Sequence, residues 1–110
     1  MSDNDVTLTK NETANRFELR VGENLVGLID YRALASGAVD MFHTEIDPAH
    51  GGQGLGQRLA AFALADAREQ GYQVVPSCPF IDRYLDRHPE DAELRAYLVR
   101  AAQFMINRFE

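Results

Sequence analysis

Residues 43–58 read HTEIDPAHGGQGLGQR, and this stretch decides the fold. A β-rich run ends at Ile46, a glycine-rich turn follows, and an apolar helical pattern begins at Leu55. The first turn of a helix leaves several backbone N–H groups unbonded, and the positive end of the helix dipole points the same way. A strand, a glycine-rich turn and a helix in this order therefore predict an anion site, with phosphate as the usual ligand.

The spacing of the glycines separates the known types of phosphate loop. A dinucleotide fold uses Gly-x-Gly-x-x-Gly and an acidic residue about 20 residues later. This chain has Gly52-x-Gly54-x-Gly56 instead and no clear acidic candidate, so a dinucleotide site is poorly supported. A P-loop requires a lysine and then a hydroxyl residue after its last glycine, and neither follows Gly56. The P-loop is therefore excluded.

Strand patterns lie on both sides of this stretch. Alternating or short apolar runs predict strands over residues 6–10, 16–21, 25–31, 38–46 and 73–75. Within 38–46, strict alternation places His43 and Glu45 on the same face as Val39 and Met41. Gly27 is expected at a bulge or at a close approach of another group.

Helical patterns follow the glycine-rich turn. Apolar residues recur at helical spacing from Leu55, and Gly71 is expected to end that helix in a left-handed cap. The next short strand would then pair in parallel with the strand before the helix, through a right-handed crossover. A short helix is predicted over residues 80–87. A last helix is predicted from Pro89, and it would bury Leu94, Leu98, Tyr97 and Ala101.

Composition limits the classes of protein to consider. A length of 110 residues with 45% hydrophobic residues predicts one domain over 1–110. A net charge of −6 without a basic run argues against nucleic acid as a partner. It suits a cationic amine, but an acidic surface is also the ordinary means of keeping a protein in solution, and solubility is the favoured explanation. No apolar segment has the length of a signal peptide or a membrane span, and the lone cysteine fits a reducing cytoplasm.

The glycine-rich turn resembles the pyrophosphate loop of the GNAT acetyltransferase superfamily, which has the pattern Arg/Gln-x-x-Gly-x-Gly/Ala. Gly54-Leu55-Gly56 match this pattern, whereas Gly51 replaces the Arg or Gln and loses one side-chain contact. The flanks resemble a small stand-alone GNAT-like subfamily from about Arg16 to Leu98. The segments that carry this resemblance are His43-Thr44-Glu45, Cys78-Pro79-Phe80, Tyr84 and His88-Pro89-Glu90.

This resemblance implies an α/β fold with a mostly antiparallel sheet, flanked by helices. Two central parallel strands would separate in a V-shaped split, and acetyl-CoA would enter that split as co-substrate or ligand. The resemblance implies cofactor contacts at Ile46, Gly51, Gly52, Gln53, Gly54, Leu55, Gly56, Gln57, Cys78 and Pro79.

The same resemblance suggests catalytic roles for four residues, each of which also has a structural explanation. Glu45 is the preferred general base, acting directly or through water, and His43 could share that task because histidine changes charge near neutral pH. Tyr84 is the candidate acid for the CoA sulfur, or else an amphipathic core residue. Cys78 is an acyl-cysteine nucleophile, a wall of the site or an inert buried thiol.

Several alternatives stay open for the acceptor and for activity itself. The acceptor would be a small amine, or an N-terminal or lysine amine of a protein. A chain this short would leave that site open, or have it completed by a partner protein or by a second subunit in a homodimer. The competing class is a CoA-binding sensor or interaction module without catalysis. A zinc deaminase is rejected because His43 and Glu45 are followed by only one cysteine, Cys78.

Overall fold

The computed structural model describes residues 5–96, which form one mixed sheet flanked by helices. The strands are β1 (Val6–Asn11), β2 (Arg16–Val21), β3 (Asn24–Ala33), β4 (Val39–Ile46) and β5 (Val74–Val75). The α-helices are α1 (Leu55–Gln70) and α2 (Pro79–Arg87), and the 3-10 helices are Pro48–His50 and Pro89–Leu94. The five strands lie in chain order across the sheet.

The strand directions agree with the sequence prediction. The pairs β1–β2, β2–β3 and β3–β4 are antiparallel, whereas β4 and β5 are parallel, with Val39 opposite Val74. A parallel pair needs a crossover connection, and α1 provides it. The predicted α/β fold, with a mostly antiparallel sheet and one parallel pair, is confirmed. Among residues 5–96 this pair lies at one end of the strand order and not at its centre.

The hydrophobic core lies between one face of the sheet and both α-helices. Inward side chains of β2, β3 and β4 form a single cluster with α1 and α2, including Phe17, Leu19, Ile29, Met41, Leu59, Ala63, Ile81 and Leu85. The apolar spacing predicted for α1 is confirmed, and Gly71 ends that helix with a left-handed φ of 80°. We call the opposite side of the sheet the outer face; no helix of residues 5–96 covers it.

The helix predicted from Pro89 is not an α-helix. Residues Pro89–Leu94 form a 3-10 helix, and Leu94 is buried as expected. Arg68 of α1 explains the shorter turn, because its guanidinium binds the carboxylates of Asp91 and Glu93 and the carbonyl of Glu90. These tertiary contacts outweigh the local pattern.

After this turn the chain runs beside β5. Arg95 forms a parallel bridge with Val74, and the Ala96 N–H donates to the Val74 carbonyl at 2.7 Å. The predicted burial of Tyr97, Leu98 and Ala101 concerns positions outside the described residues.

Two polar clusters stabilise the β1–β2 side of the sheet. On the outer face, Glu18 accepts hydrogen bonds from Arg16, Arg20 and Asn11 at 2.6, 2.7 and 3.2 Å. The bond from Arg20 is the largest influence on the Glu18 carboxyl and outweighs its burial, so its pKa falls to about 2. The carboxylate is therefore charged and fully bonded although its side chain is almost completely buried.

The second cluster surrounds Lys10, the chain's one lysine. Its ammonium lies 2.7 Å from Asp66 and 5.7 to 5.8 Å from the ring centroids of Phe17, Tyr31 and Tyr72. The Tyr72 hydroxyl donates to the same Asp66 oxygen at 2.7 Å. Burial lowers the pKa of Lys10, but the hydrogen bond to Asp66 and the negative charge of Asp66 together raise it by more. The net shift is therefore upward.

Candidate functional site

The glycine-rich turn presents an uncapped helix end. Gly52 and Gly54 have φ of 77° and 74°. Residues other than glycine adopt this left-handed backbone conformation only with strain. Gly54 is the N-cap of α1, and no side chain bonds to the cap. The first intrahelical bond runs from the Arg58 N–H to the Gly54 carbonyl at 3.1 Å. The N–H groups of residues 55–57 therefore precede the helical ladder and point out of the helix end.

Three elements meet at this helix end. A Cβ placed on Gly56 would lie 3.1 Å from the Phe80 ring and 3.5 Å from Ile46. Glycine at this position therefore allows α1, the end of β4 and the start of α2 to approach closely. The structure brings together Ile46, Gly56 and the segment after Cys78, as the resemblance implied, and it adds Phe80.

The strands β4 and β5 separate after a short parallel pairing. Their register ends at Asp40 opposite Val75, and the Cys78 N–H then donates to the Met41 carbonyl at 3.0 Å. From Pro79 the chain enters α2, so residues 42–46 of β4 have no strand partner on this side among residues 5–96. We call this gap between β4 and α2 the opening.

Cys78 lies at the narrow end of the opening. Its side chain is buried, and its Sγ lies 3.3 Å from the Thr44 Oγ1, a hydrogen-bond distance for sulfur. Thr44 was not singled out from the sequence because its role depends on a contact between residues 34 positions apart. The pair spans the opening from β4 to the start of α2.

A bulge in β4 corrects the predicted facing of its side chains. Asp30 lies opposite His43 and Tyr31 opposite Met41, so Phe42 has no partner in the register. An extra residue reverses the alternation beyond it. Met41 faces the core, whereas His43 and Glu45 project from the outer face. The expectation that these three residues share one face with Val39 is therefore wrong.

His43 and Glu45 form a contact on the outer face. The His43 Nε2 lies 3.2 Å from the Glu45 Oε2, and the two side chains are 49% and 64% exposed. The imidazole and carboxylate are thus close enough to share a proton. Both groups lie in solvent, so a bound substrate would have to supply any desolvation of this pair.

Tyr84 lies deeper than the other candidate residues. Its ring stacks on His88 at a centroid distance of 3.7 Å, and its side chain belongs to the core. Burial is the main reason that its pKa is raised, and the carboxylates of Asp91 and Glu90 add to the effect. The contacts described for Tyr84 place it beside the Pro89–Leu94 turn and do not join it to Cys78 or Glu45.

A shallow depression of about 220 Å³ adjoins the opening. It shares Glu45 and Ile46 with the opening but extends toward β3, away from α2. Its walls are Leu25, Val26, Gly27, Leu28, Glu45, Ile46, Asp47 and Pro48. Gly27 provides the close approach predicted for it, because a Cβ there would lie 2.6 Å from the Ile46 side chain.

Comparison with known proteins identifies the family. The family model described as GCN5-related N-acetyltransferase matches residues 16–94. This chain belongs to the GCN5-related N-acetyltransferase family. The fold of this chain is similar to the NMR solution structure of a GCN5-like N-acetyltransferase candidate from Staphylococcus aureus. The two share 26% identity and a TM-score of 0.68 over 89% of this chain and 93% of the other.

Among curated proteins, none matches this chain. Between residues 5 and 96 it has no helix that is both long and apolar enough to cross a membrane. Within the same range no three His, Cys, Asp or Glu side chains are grouped so that they could hold a metal ion.

Proposed function

We propose that this chain transfers an acetyl group from acetyl-CoA to an amine, with the cofactor bound in the opening. One observation carries the proposal: the uncapped first turn of α1 lies beside residues 42–46 of β4, which have no strand partner on the α2 side among residues 5–96. The helix end suits the pyrophosphate, and the free strand edge suits an extended, amide-containing arm. Family membership supports the same chemistry.

The pyrophosphate would be held mainly by backbone groups. The N–H groups of residues 52–57 are the proposed donors, with the positive helix end behind them, whereas the Gly51 N–H is already bonded to the Pro48 carbonyl at 3.1 Å. Gly51 stands where the family pattern has Arg or Gln, so one side-chain contact is missing. We therefore expect weaker binding of CoA than a complete loop would provide. Ile46, Cys78 and Pro79 are the proposed walls along the rest of the cofactor.

Direct transfer accounts for the reaction without a further co-reactant. The amine nitrogen attacks the thioester carbonyl carbon, its proton passes to Glu45 directly or through water, and His43 shares that proton. The C–N bond forms, the C–S bond breaks, and the CoA thiolate takes a proton from Tyr84. Tyr84 holds its proton at neutral pH, as a proton donor must, although its raised pKa makes the phenol a weaker acid than an ordinary tyrosine.

Cys78 offers a second route through an acyl-enzyme. Its thiolate would attack the thioester, release CoA and later pass the acetyl group to the amine. Intact-protein mass spectrometry after incubation with acetyl-CoA tests this route, since the adduct should form on the wild-type chain and be absent from Cys78→Ala. A protein that binds acetyl-CoA but gains no acetyl group would leave Cys78 as a wall of the opening.

Thermal unfolding tests the cofactor proposal directly. Acetyl-CoA should raise the melting temperature, because a ligand that binds only the folded chain stabilises it. Gly54→Asp should abolish this shift by placing a carboxylate in the loop. Gly37→Asp is the matched control, since Gly37 also has a positive φ, of 94°, but lies in a turn outside the loop.

The control should keep the full shift despite similar backbone strain. If millimolar acetyl-CoA leaves the wild-type melting temperature unchanged, the cofactor proposal fails. A homodimer and a cytoplasmic location stay predictions from the sequence.

A further inference from the structure

The outer face beside the opening has a composition that suits a cationic acceptor. Asp40, Phe42 and His43 project from β4, and Arg32 and Asp30 lie opposite them on β3. Because α1 and α2 pack on the other side of the sheet, the outer face is the side of the strand separation that no helix of residues 5–96 covers. The bulge at Phe42 lies at that point.

Asp40 is a buried carboxylate, and within residues 5–96 only one of its oxygens is bonded. Its side chain is 8% exposed, and its Oδ2 accepts from the Arg32 Nε at 3.1 Å. Its Oδ1 is buried without a hydrogen-bond partner in the part of the chain that the structure describes. A buried carboxylate oxygen that is left unsatisfied costs free energy, so a second donor would be bound favourably.

The contacts of Arg32 show that this surface binds a cation. Its side chain is 62% exposed, and its guanidinium carbon lies 4.5 Å from the centroid of the Phe42 ring. The ring and the carboxylate thus already bind a cation, through a side chain that can rotate into solvent. Phe42 is itself 38% exposed, which is unusual for a large apolar residue of this chain.

The spacing along β4 suggests a second contact for the same ligand. Asp40 and His43 are three residues apart, which corresponds to roughly 10 Å of strand. A short aliphatic chain with an amine at each end can reach from the Asp40 carboxylate to the His43 and Glu45 pair. The net charge of this surface also suits a cationic ligand, because the carboxylates of Asp30, Asp40 and Glu45 outnumber the one guanidinium, that of Arg32. The nearby Arg16 and Arg20 are already bound to Glu18.

We propose that the outer face around Asp40 and Phe42 binds the acceptor, and that this acceptor is a small diamine. One ammonium would displace Arg32 from Asp40, the methylenes would lie on Phe42, and the other amine would reach His43 and Glu45. The catalytic meaning of this site rests on the proposed acetyl transfer, but binding of the diamine does not.

Titration of the chain with 1,4-diaminobutane and with butylamine, with and without CoA, tests the proposal. Calorimetry should give at least fivefold tighter binding of the diamine, since butylamine lacks the second charge. Backbone NMR shifts should concentrate at Arg32, Asp40, Phe42 and His43. Equal affinity for the two amines, no binding of either, or shifts centred elsewhere would each overturn the proposal.

Two variants that should change diamine affinity in opposite directions test whether Asp40 and Arg32 form a binding site or only a structural ion pair. Asp40→Asn should weaken diamine binding about fivefold, whereas Arg32→Gln should tighten it about threefold by removing the competing cation. Glu23→Gln, in the exposed turn between β2 and β3, is the control and should change nothing. NMR spectra report whether each variant is folded. Weaker binding in both Asp40→Asn and Arg32→Gln would show that the pair only supports the sheet.

These measurements separate two failures. If the diamine binds as described but acetyl-CoA neither binds nor reacts, the transferase proposal fails and the amine site stands. If acetyl-CoA binds and other amines are acetylated while the diamine does not bind, the amine site fails and the transferase proposal stands.

Discussion

The two carboxylates Glu18 and Asp40 lie on the same face of one sheet, and both are buried, but their surroundings differ. Glu18 on β2 has three donors and a pKa lowered to about 2. Asp40 on β4 has one donor, an exposed arginine, and one buried oxygen without a partner among the described residues. The β1–β2 side of the sheet is thus built for stability, and the β4 side retains groups that a ligand can use.

The largest expected effect concerns turnover on the β4 side. Glu45→Gln should lower kcat about 100-fold, because removal of a general base costs at least that much. It should leave the melting temperature and its shift with acetyl-CoA unchanged, since the side chain lies in solvent. Thiol release with an amine panel measures kcat, with Glu23→Gln as the control. An unchanged kcat would remove Glu45 from the mechanism.

On the β2 side the effect should appear in stability instead. Glu18→Gln should lower the free energy of unfolding by about 2 kcal/mol, because it breaks a buried ion pair whose arginines are partly exposed. Urea unfolding followed by circular dichroism measures this loss. A loss as small as that of Glu23→Gln would mean that the bonds to Arg16 and Arg20 contribute little.

The pH dependence sharpens the same contrast. The pKa of Glu18 is lowered from 4.5 to about 2, so its stabilisation is complete above pH 4.5 and is lost as the pH falls toward 2. The difference in unfolding free energy between the wild type and Glu18→Gln should therefore shrink over that range. Other carboxylates titrate there too, but they are common to both proteins. A difference that stays constant down to pH 2 would contradict the assignment.

A smaller effect is expected where Tyr72 meets Asp66. Tyr72→Phe removes one hydrogen bond and should cost about 1 kcal/mol of unfolding free energy. The shift of melting temperature with acetyl-CoA should be retained, because this cluster lies at the far end of α1 from the loop. Loss of that shift would show that the two sides of the sheet are coupled.

Periodicity predicted most of the fold, and it failed where a residue acts through distant contacts. The strands and α1 follow from alternation and from helical spacing, which burial imposes directly. The bulge at Phe42 has no such signal, so the facing of His43 and Glu45 was wrong. An α-helix was expected from Pro89, but a 3-10 helix forms there because Arg68 binds the carboxylates of the turn.

The candidate site shows the same limit. The loop around Gly54 could be predicted because the spacing of its glycines is contained within a few consecutive residues. Thr44 and Phe80 were missed as contacts of Cys78 and Gly56, since those contacts join separate elements. The unbonded oxygen of Asp40 depends on the whole surrounding surface, and no pattern within a strand encodes it.

The ion pair of Lys10 has a chemical consequence for the proposed binding of acetyl-CoA. Only a neutral amine attacks a thioester, and Lys10 has a raised pKa and a carboxylate at 2.7 Å. Its ammonium is also surrounded by three aromatic rings. The chain's one lysine side chain is therefore a poor nucleophile, so acetyl-CoA bound as proposed would acetylate Lys10 only slowly.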